Sequence, residues 1–330
     1  MVCSDRLNYA ARVGLLALVS LMVALPGHIN ARELPTVEGF TPARGPFQPQ
    51  WDSLSQFTIP EWFQDAKLGI FIHWGVYSVP AHTNEWYPRN MYQKGSRDFK
   101  YHREIHGPQD QFGYKDFIPR FTAKKWDPQA WAALFEASGA KYVVPVAEHH
   151  DGFPMYDCSY TAWDAKQMGP KRDIVGELFA ACRDRGLRVG VSSHRAFNWE
   201  YYARDKAFDT TDPRYFGLYG QPPTQPWPDK PFLDDWLLRT VELARTYRPD
   251  IIWFDFYFGN PEFEAYRRLF AADYYNHGKQ WNKDVLIQYK YDALPVGAGA
   301  TGGPAWVYLG RPLRPSRRSL RRNPDGLCQG

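Results

Sequence analysis

Five short apolar segments recur along the chain, and they predict the strands of a β-sheet. They span residues 68–74, 142–147, 187–192, 251–257 and 285–289. Each segment is almost continuously apolar and rich in valine, isoleucine or aromatic residues, which is typical of strands that are buried on both faces of a parallel sheet. We therefore expect a parallel sheet with these segments as its strands.

The segments between these strands carry the start and stop signals of helices. One helix is predicted to begin after the N-cap Asp127, with Pro128 in its first turn and Gly139 after its end. Two more are predicted over residues 173–185, closed by Gly186, and over residues 232–247. Strands that alternate with helices at this spacing indicate an α/β fold, either a closed barrel or an open sheet.

Polar residues follow four of the five predicted strands. His73 ends the first, His149 and His150 follow the second, His194 follows the third, and Asp255 lies within the fourth. A single histidine at a strand end is more often structural than functional, but four polar strand ends of a barrel converge on one mouth. Asp255 is flanked by aromatic residues, and burying its carboxylate without a partner would cost roughly several kcal/mol. We therefore expect a site at this mouth, with Asp255 at its centre.

The same residues argue against two other kinds of chemistry. His149 and His150 are adjacent, so in an extended segment they point to opposite faces, unlike the histidine pairs that usually hold one ion. We therefore expect no metal and no cofactor, with a metallohydrolase as the alternative. Ser192 and Ser193 lack the glycine pattern of a nucleophile elbow, which disfavours acyl transfer.

Composition and charge narrow the class of ligand. Aromatic residues make up 17% of the chain, which fits either a bulky core or a sugar cleft, because aromatic rings stack on the apolar faces of sugars. The formal net charge is +4, but residues 301–330 contain six arginines and one acid, so the rest of the chain is close to neutral at −1. Nucleic-acid binding needs a basic stripe on the folded domain, so we expect no nucleic-acid partner.

Residues 1–31 have the pattern of a cleaved export signal. Arg6 and Arg12 precede an apolar stretch over residues 13–25, and small residues ending at Ala31 provide a cleavage site. This stretch is shorter than the roughly 20 residues that span a bilayer, which disfavours the alternative of a membrane anchor. We expect the mature protein in the periplasm or the medium, with no stable membrane span.

Residues 301–330 interrupt the alternation of strands and helices. Arginine, proline and glycine dominate this segment and no apolar period is visible. We expect an aberrant C-terminus, such as the product of a frameshift in a GC-rich gene, and a basic interaction tail is the alternative. Cys158, Cys182 and Cys328 follow the export signal and do not have the spacing of a metal site. A disulfide between Cys158 and Cys182 is one alternative in an oxidising compartment.

Six motifs in a fixed order resemble one known family, the α-L-fucosidases of glycoside hydrolase family 29. They are KLGIFIHWGVYSVP at 67–80, NEWYP at 84–88, FxxxxWDP at 121–128, GAKY at 139–142, HHDGF at 149–153 and PDxxWxD at 249–255. The resemblance covers roughly residues 51–298 and implies a (β/α)8 TIM-type barrel over residues 32–300. It also implies that the barrel is incomplete at its C-terminal end, because the recognisable sequence stops near residue 299.

The resemblance implies a retaining enzyme that removes terminal α-L-fucose from glycans through a covalent fucosyl-aspartate. Carried over position by position, Asp255 is the nucleophile. The residues that hold the sugar hydroxyls are His73, Glu85, Trp86, His149 and His150, and His194 takes the place of a family tyrosine in the third strand. Neutral polar donors and aromatic walls suit an uncharged deoxy sugar.

One family feature is missing from this sequence. Family members supply the acid/base glutamate from beyond the fifth strand, where this chain departs from the family pattern. Glu262 and Glu264 are the nearest downstream acids, and a retaining pair needs carboxyl groups about 5–5.5 Å apart. Neither lies in the family's acid/base context, so the alternative is a fucose-binding remnant without turnover.

Overall fold

Six parallel strands form one sheet in a computed structural model that describes residues 33–302 of the 330-residue chain. The strands follow each other in space in the order β1-β2-β3-β4-β5-β6, and every neighbouring pair is parallel. Their bounds are β1 Gly69–Ile72, β2 Tyr142–Glu148, β3 Arg188–Ser193, β4 Ile251–Phe254, β5 Leu286–Lys290 and β6 Ala300–Gly302. The α/β fold and all five predicted strands are confirmed.

The sixth strand corrects the predicted boundary at residue 300. β6 pairs with β5, where Gln288 lies opposite Ala300 and Lys290 opposite Gly302. The first two residues of the predicted tail therefore belong to the sheet. β6 is only three residues long and glycine-rich, so it carries almost none of the apolar signal by which a strand is recognised. The rest of that tail, and the predicted export signal at 1–31, lie outside the described residues.

Ten α-helices connect and cover these strands in the described part of the chain. Their bounds are α1 Trp51–Leu54, α2 Glu61–Asp65, α3 Tyr87–Asn90, α4 Arg97–Ile105, α5 Pro128–Ala137, α6 Ile174–Arg183, α7 Asn198–Tyr201, α8 Phe216–Tyr219, α9 Lys230–Tyr247 and α10 Glu264–Gln280. The three predicted helices are confirmed as α5, α6 and α9. Among helices over residues 33–302, none is long and apolar enough to cross a bilayer.

The N-cap predicted at Asp127 is confirmed, and Asp173, which was predicted as the first residue of its helix, is also an N-cap. The Asp127 carboxylate accepts the backbone N–H of Ala130 at the start of α5, and Asp173 accepts that of Gly176 at the start of α6. α9 begins two residues earlier than predicted, because the side chain of Asp229 caps it and Pro231 fits its first turn. α10 was not predicted, since charged residues interrupt its apolar pattern although most of its length is buried.

The sheet is curled, and its two faces pack against different partners. On one face, side chains from neighbouring strands form a small cluster that α2 residues help to cover: Val144, Ile251, Trp253, Leu286 and Ala300, with Trp62 and Phe63. On the other face, strand residues such as Ile252, Phe254 and Ile287 join the large core shared with the helices. We call the first face the inner face. Its residues lie beneath the carboxyl ends of the strands, where the candidate site lies.

Candidate active site

Alternation along the strands brings the candidate residues to the inner face. Ile251 and Trp253 belong to the inner cluster, and because side chains alternate along a strand, Asp255 continues the same row. The same period relates Phe71 to His73. Each row therefore ends in a polar side chain above an apolar floor.

Trp253 is the floor of this site. Its ring lies 5.1 Å from that of Phe71 and 5.4 Å from that of His194. The ammonium of Lys290 lies 5.3 Å above its centre. Trp253 is almost fully buried, so it separates the polar strand ends from the apolar cluster beneath them.

The Asp255 carboxylate is buried among three nitrogen-bearing side chains. Oδ2 lies 2.9 Å from His194 Nδ1 and 3.3 Å from His150 Nε2, and Oδ1 lies 2.6 Å from Lys290 Nζ. The backbone N–H of Phe256 donates to Oδ1 at 2.7 Å. A carboxylate among aromatic residues must be paired if it is buried, and these contacts supply the partners that the sequence led us to expect for Asp255.

The pKa of Asp255 lies well below its usual range. Burial by itself would raise this pKa, but the attraction of His194 and His150 for the charged carboxylate outweighs burial. Asp255 is therefore ionised at neutral pH, which is the state that a nucleophile needs.

The histidines around Asp255 are held by further contacts. His150 Nδ1 donates to the backbone carbonyl of His194 at 2.5 Å, because a carbonyl oxygen can only accept. His194 Nε2 lies 2.8 Å from the Ser192 hydroxyl. Burial lowers the pKa of His194 to about 4, against the opposing attraction of Asp255. These contacts fix the orientation of both rings.

His73 and His149 complete a cluster of four imidazoles. The His149 ring lies 5.7 Å from that of His73, 4.6 Å from that of His150 and 4.7 Å from that of His194. Burial, followed by the neighbouring histidines His150 and His194, lowers the pKa of His149 well below its ordinary value, and burial lowers that of His73. Neutral imidazoles can both donate and accept hydrogen bonds, as sugar hydroxyls require.

Aromatic rings form one wall beside His150. The Trp86 ring lies 5.3 Å from that of His150 and 6.0 Å from that of Phe256. Phe197 and Tyr201 pack 5.3 and 5.5 Å from the same imidazole. Such a wall can contact the apolar face and the methyl group of a deoxy sugar.

The structure brings the sequence-predicted residues together. His73, His149, His150 and His194 surround Asp255, and Trp86 packs against His150. Glu85 is half-buried, and its charge raises the pKa of His73 against the stronger effect of burial. Their roles in holding a sugar stay predictions.

The sequence argument missed Lys290 as a member of the site. This lysine is the last residue of β5, the one predicted strand for which no polar end was considered. The signal was present, since a charged residue directly follows Tyr289 at the end of an apolar segment. A cation at 2.6 Å stabilises the charged form of Asp255.

Asp151 and Gly152 shape the turn after the two adjacent histidines. The Tyr114 hydroxyl donates to the Asp151 carboxylate at 2.6 Å, and the backbone N–H of Phe153 donates to it at 3.3 Å. Gly152 has a φ of +79°, and a Cβ there would meet the backbone carbonyl of Leu218. The motif HHDGF therefore contains residues that hold the loop beside those that face the site.

A network of four charged residues lies between the strand ends and α9, in which Glu148, Arg195 and Arg239 are buried and Asp235 is half-buried. Arg195 contacts Glu148 at 2.7 Å and Asp235 at 2.5 Å. Arg239 contacts the same two acids at 3.5 Å and 3.0 Å. Glu148 directly precedes His149 and Arg195 directly follows His194, so this network joins the two strand ends that carry site histidines.

The two weak acid/base candidates have different environments. Glu264 Oε1 accepts the indole N–H of Trp51 at 2.8 Å and lies 3.0 Å from Arg268 Nε. These contacts direct Glu264 toward α1 and along α10. Glu262 is half-buried, and its charge contributes to raising the pKa of Tyr257 after burial and Glu200. Neither has a described contact with Asp255.

Comparison with known proteins identifies the family. A sequence model described as "Alpha-L-fucosidase" matches residues 37–298. The chain is 37% identical over 254 residues to the tissue alpha-L-fucosidase of Rattus norvegicus and 34% identical over 254 residues to that of Homo sapiens. Each alignment covers 76% of this chain and 47% of the relative.

A solved structure gives the same answer. The crystal structure of Thermotoga maritima alpha-fucosidase in complex with fucose matches with a TM-score of 0.61 and 35% identity. This match covers 74% of the present chain and 59% of the other. The chain thus spans about half the length of the curated relatives it matches. On the sequence motifs, the curled parallel sheet and these similarities, the chain belongs to the α-L-fucosidase family.

Proposed function

We propose that this protein binds terminal α-L-fucose and hydrolyses its glycosidic bond with retention of configuration, using Asp255 as the nucleophile. The observation that carries the proposal is the environment of Asp255, which is buried, held ionised and faced by His150, His194 and Lys290. An ionised carboxylate inside a cleft of polar donors suits attack on the anomeric carbon of an uncharged sugar.

The reaction has two steps. Asp255 attacks the anomeric carbon while the glycosidic C–O bond breaks, which forms a fucosyl-aspartate, and the leaving oxygen departs with the bonding electron pair and takes a proton from solvent. A water molecule then attacks the same carbon and the bond to Asp255 breaks, which releases fucose, restores the free carboxylate and returns one proton to solvent. His73, Glu85, Trp86, His149, His150 and His194 hold the fucose in this proposal. Of these residues His149, His150 and His194 are buried, which excludes bulk water from them and strengthens their hydrogen bonds to the sugar.

Hydrolysis of an aryl α-L-fucoside tests the proposal. We expect Asp255→Asn to lower the rate at least about 1,000-fold, because the amide cannot form the covalent intermediate. Asp284→Asn is the matched control, since this aspartate is exposed and pairs only loosely with Lys279 at 3.6 Å. A fluorinated fucoside that traps the intermediate should label Asp255 in peptide mass spectrometry. Full activity of Asp255→Asn would refute the assignment.

A second function is favoured by one observation, the contacts of Glu264. The Glu264 carboxylate is occupied by Trp51 and Arg268, so it is poorly suited to protonate a leaving group. A chain without an acid/base residue would bind fucose with little turnover. Substrates with acidic leaving groups distinguish the two functions. A lone nucleophile would release one equivalent of a good aryl leaving group and then stop, and it would not cleave an alkyl fucoside.

Two further proposals concern architecture and location. We propose that the six sequential parallel strands are part of a (β/α)8 barrel, supported by the curl of the sheet and the matches to fucosidase structures. We also propose export to the periplasm or medium, supported by the sequence pattern of residues 1–31. Intact-mass analysis of secreted protein would test export, with cleavage after Ala31 as the expected result.

A further inference from the structure

Three histidines from neighbouring strand ends converge at the mouth of the site. They are His73 after β1, His149 after β2 and His194 after β3, and one ligand atom of each lies within 4.8 Å of one from each of the others. Their strands are adjacent in the sheet. The spacing argument from the sequence compared only the neighbours His149 and His150, so it could not detect a group formed by three separate strands.

The burial of this three-histidine cluster favours a ligand from outside the chain. His149 and His194 are 3% and 2% exposed, whereas His73 is exposed toward solvent. His149 Nδ1 is buried and makes no hydrogen bond to any described residue. A buried polar atom without a partner is costly, and a bound ligand would remove that cost.

The charge around the cluster also suits a cation. The Asp255 carboxylate lies 2.9 Å from His194, and the Glu85 carboxylate interacts electrostatically with His73. Asp255 and Glu85 contribute two negative charges beside the cluster and Lys290, 2.6 Å from Asp255, contributes one positive charge, so the balance of these three groups favours a cation.

We propose that His73, His149 and His194 bind a zinc ion at the mouth of the site. Imidazole nitrogens suit Zn²⁺, whereas Mg²⁺ prefers oxygen ligands. Zinc–nitrogen bonds of about 2.0–2.1 Å require the three nitrogens, which lie within 4.8 Å of one another, to close to roughly 3.3 Å. Both nitrogens of His194 already have neighbours, Ser192 and Asp255, so zinc displaces one of these contacts.

The bound ion occupies the space that the proposed function assigns to fucose. Zinc and fucose are therefore mutually exclusive ligands. Only this exclusion rests on the proposed function, and zinc binding itself does not.

Isothermal titration of the metal-free full chain with ZnCl2 tests the proposal. We expect one ion per chain, and we expect His149→Asn and His73→Asn each to weaken zinc binding at least tenfold. His277→Asn is the matched control. His277 lies near the C-terminal end of α10, which leads to the amino end of β5, whereas the site lies at the carboxyl ends of the strands. MgCl2 should give no binding. Thermal unfolding without metal shows whether each variant is folded, and zinc should raise the Tm of the unaltered chain and of the control by more than that of His149→Asn or His73→Asn.

The outcomes separate this proposal from the proposed function. Equal zinc affinity in all variants, or no zinc binding by the unaltered chain, would overturn it. An increase in the apparent Kd for zinc with added L-fucose supports the shared pocket, and an unchanged Kd at fucose concentrations that bind the chain overturns it. A chain that binds zinc but neither binds fucose nor cleaves fucosides would contradict the proposed function alone.

Discussion

Replacing Arg195 with methionine removes one of two cations from the buried network between the sheet and α9. Arg195 lies 2.7 Å from Glu148 and 2.5 Å from Asp235. After the change, Arg239 alone faces both carboxylates, at 3.5 Å from Glu148 and 3.0 Å from Asp235. Glu148 is 3% exposed, so water cannot replace the lost partner.

The magnitude follows from leaving one buried charge in excess. Breaking a buried pair by removing one partner costs about 3–5 kcal/mol, and we expect about 3–4 kcal/mol for Arg195→Met. Glu148→Gln leaves Arg195 and Arg239 facing Asp235 alone, which is again an excess of one charge, and should also cost about 3–4 kcal/mol. The double variant, with Arg195→Met and Glu148→Gln together, retains Asp235 with Arg239 as a balanced pair. Its loss of unfolding free energy should therefore be about 2 kcal/mol smaller than the sum of the losses from the single changes.

Urea denaturation at neutral pH, followed by tryptophan fluorescence, measures these free energies of unfolding. Arg185→Met is the matched control, since its ion pair with Glu136 lies at the surface and should contribute less than about 1 kcal/mol. The single variants should also weaken fucose binding, because the network joins the strand ends that carry His149 and His194. Additive costs to within about 0.5 kcal/mol would show that the four charges do not act as a unit.

Three other predictions concern single residues. Lys290→Met removes the ammonium 2.6 Å from Asp255 and should lower kcat/KM on an aryl fucoside about 10–100-fold, as one charged contact is worth about 1.5–3 kcal/mol; an unchanged value would contradict this. Burial lowers the pKa of His102 to about 4, so the native state favours the neutral ring. This contribution to stability is complete above pH 6.5 and is lost as the pH falls toward 4. Over that interval the unfolding free energy, measured by urea denaturation, should fall by up to about 3 kcal/mol more than in His102→Gln, and an equal fall in both proteins would disprove it. Gly152→Ala should destabilise by more than about 1 kcal/mol, because φ is +79° and the new Cβ would meet the carbonyl of Leu218; an unchanged urea midpoint would contradict it.

Local signals explain why much of the architecture could be predicted. Buried parallel strands are apolar on both faces, so each of the first five produced a segment that stands out from its surroundings. Asp127 and Asp173 marked two helix starts, since a capping carboxylate acts within three residues of its own position. Side chains alternate along a strand, so Asp255 could be assigned to one face from its own sequence context.

Tertiary structure decided which of these residues meet. The contact of Lys290 with Asp255 and the cluster of His73, His149 and His194 depend on strands that are adjacent in space and far apart in sequence. α10 escaped prediction because some of its charged side chains are buried through partners elsewhere in the fold, such as Asp273 with Arg245 and Arg267 with the backbone carbonyl of Phe258. The sequence by itself determined the first five strands, the Asp127 cap and the family, because these depend on neighbours along the chain. The charge balance of the site was decided only by packing, because electrostatic energy depends on distances across the sheet.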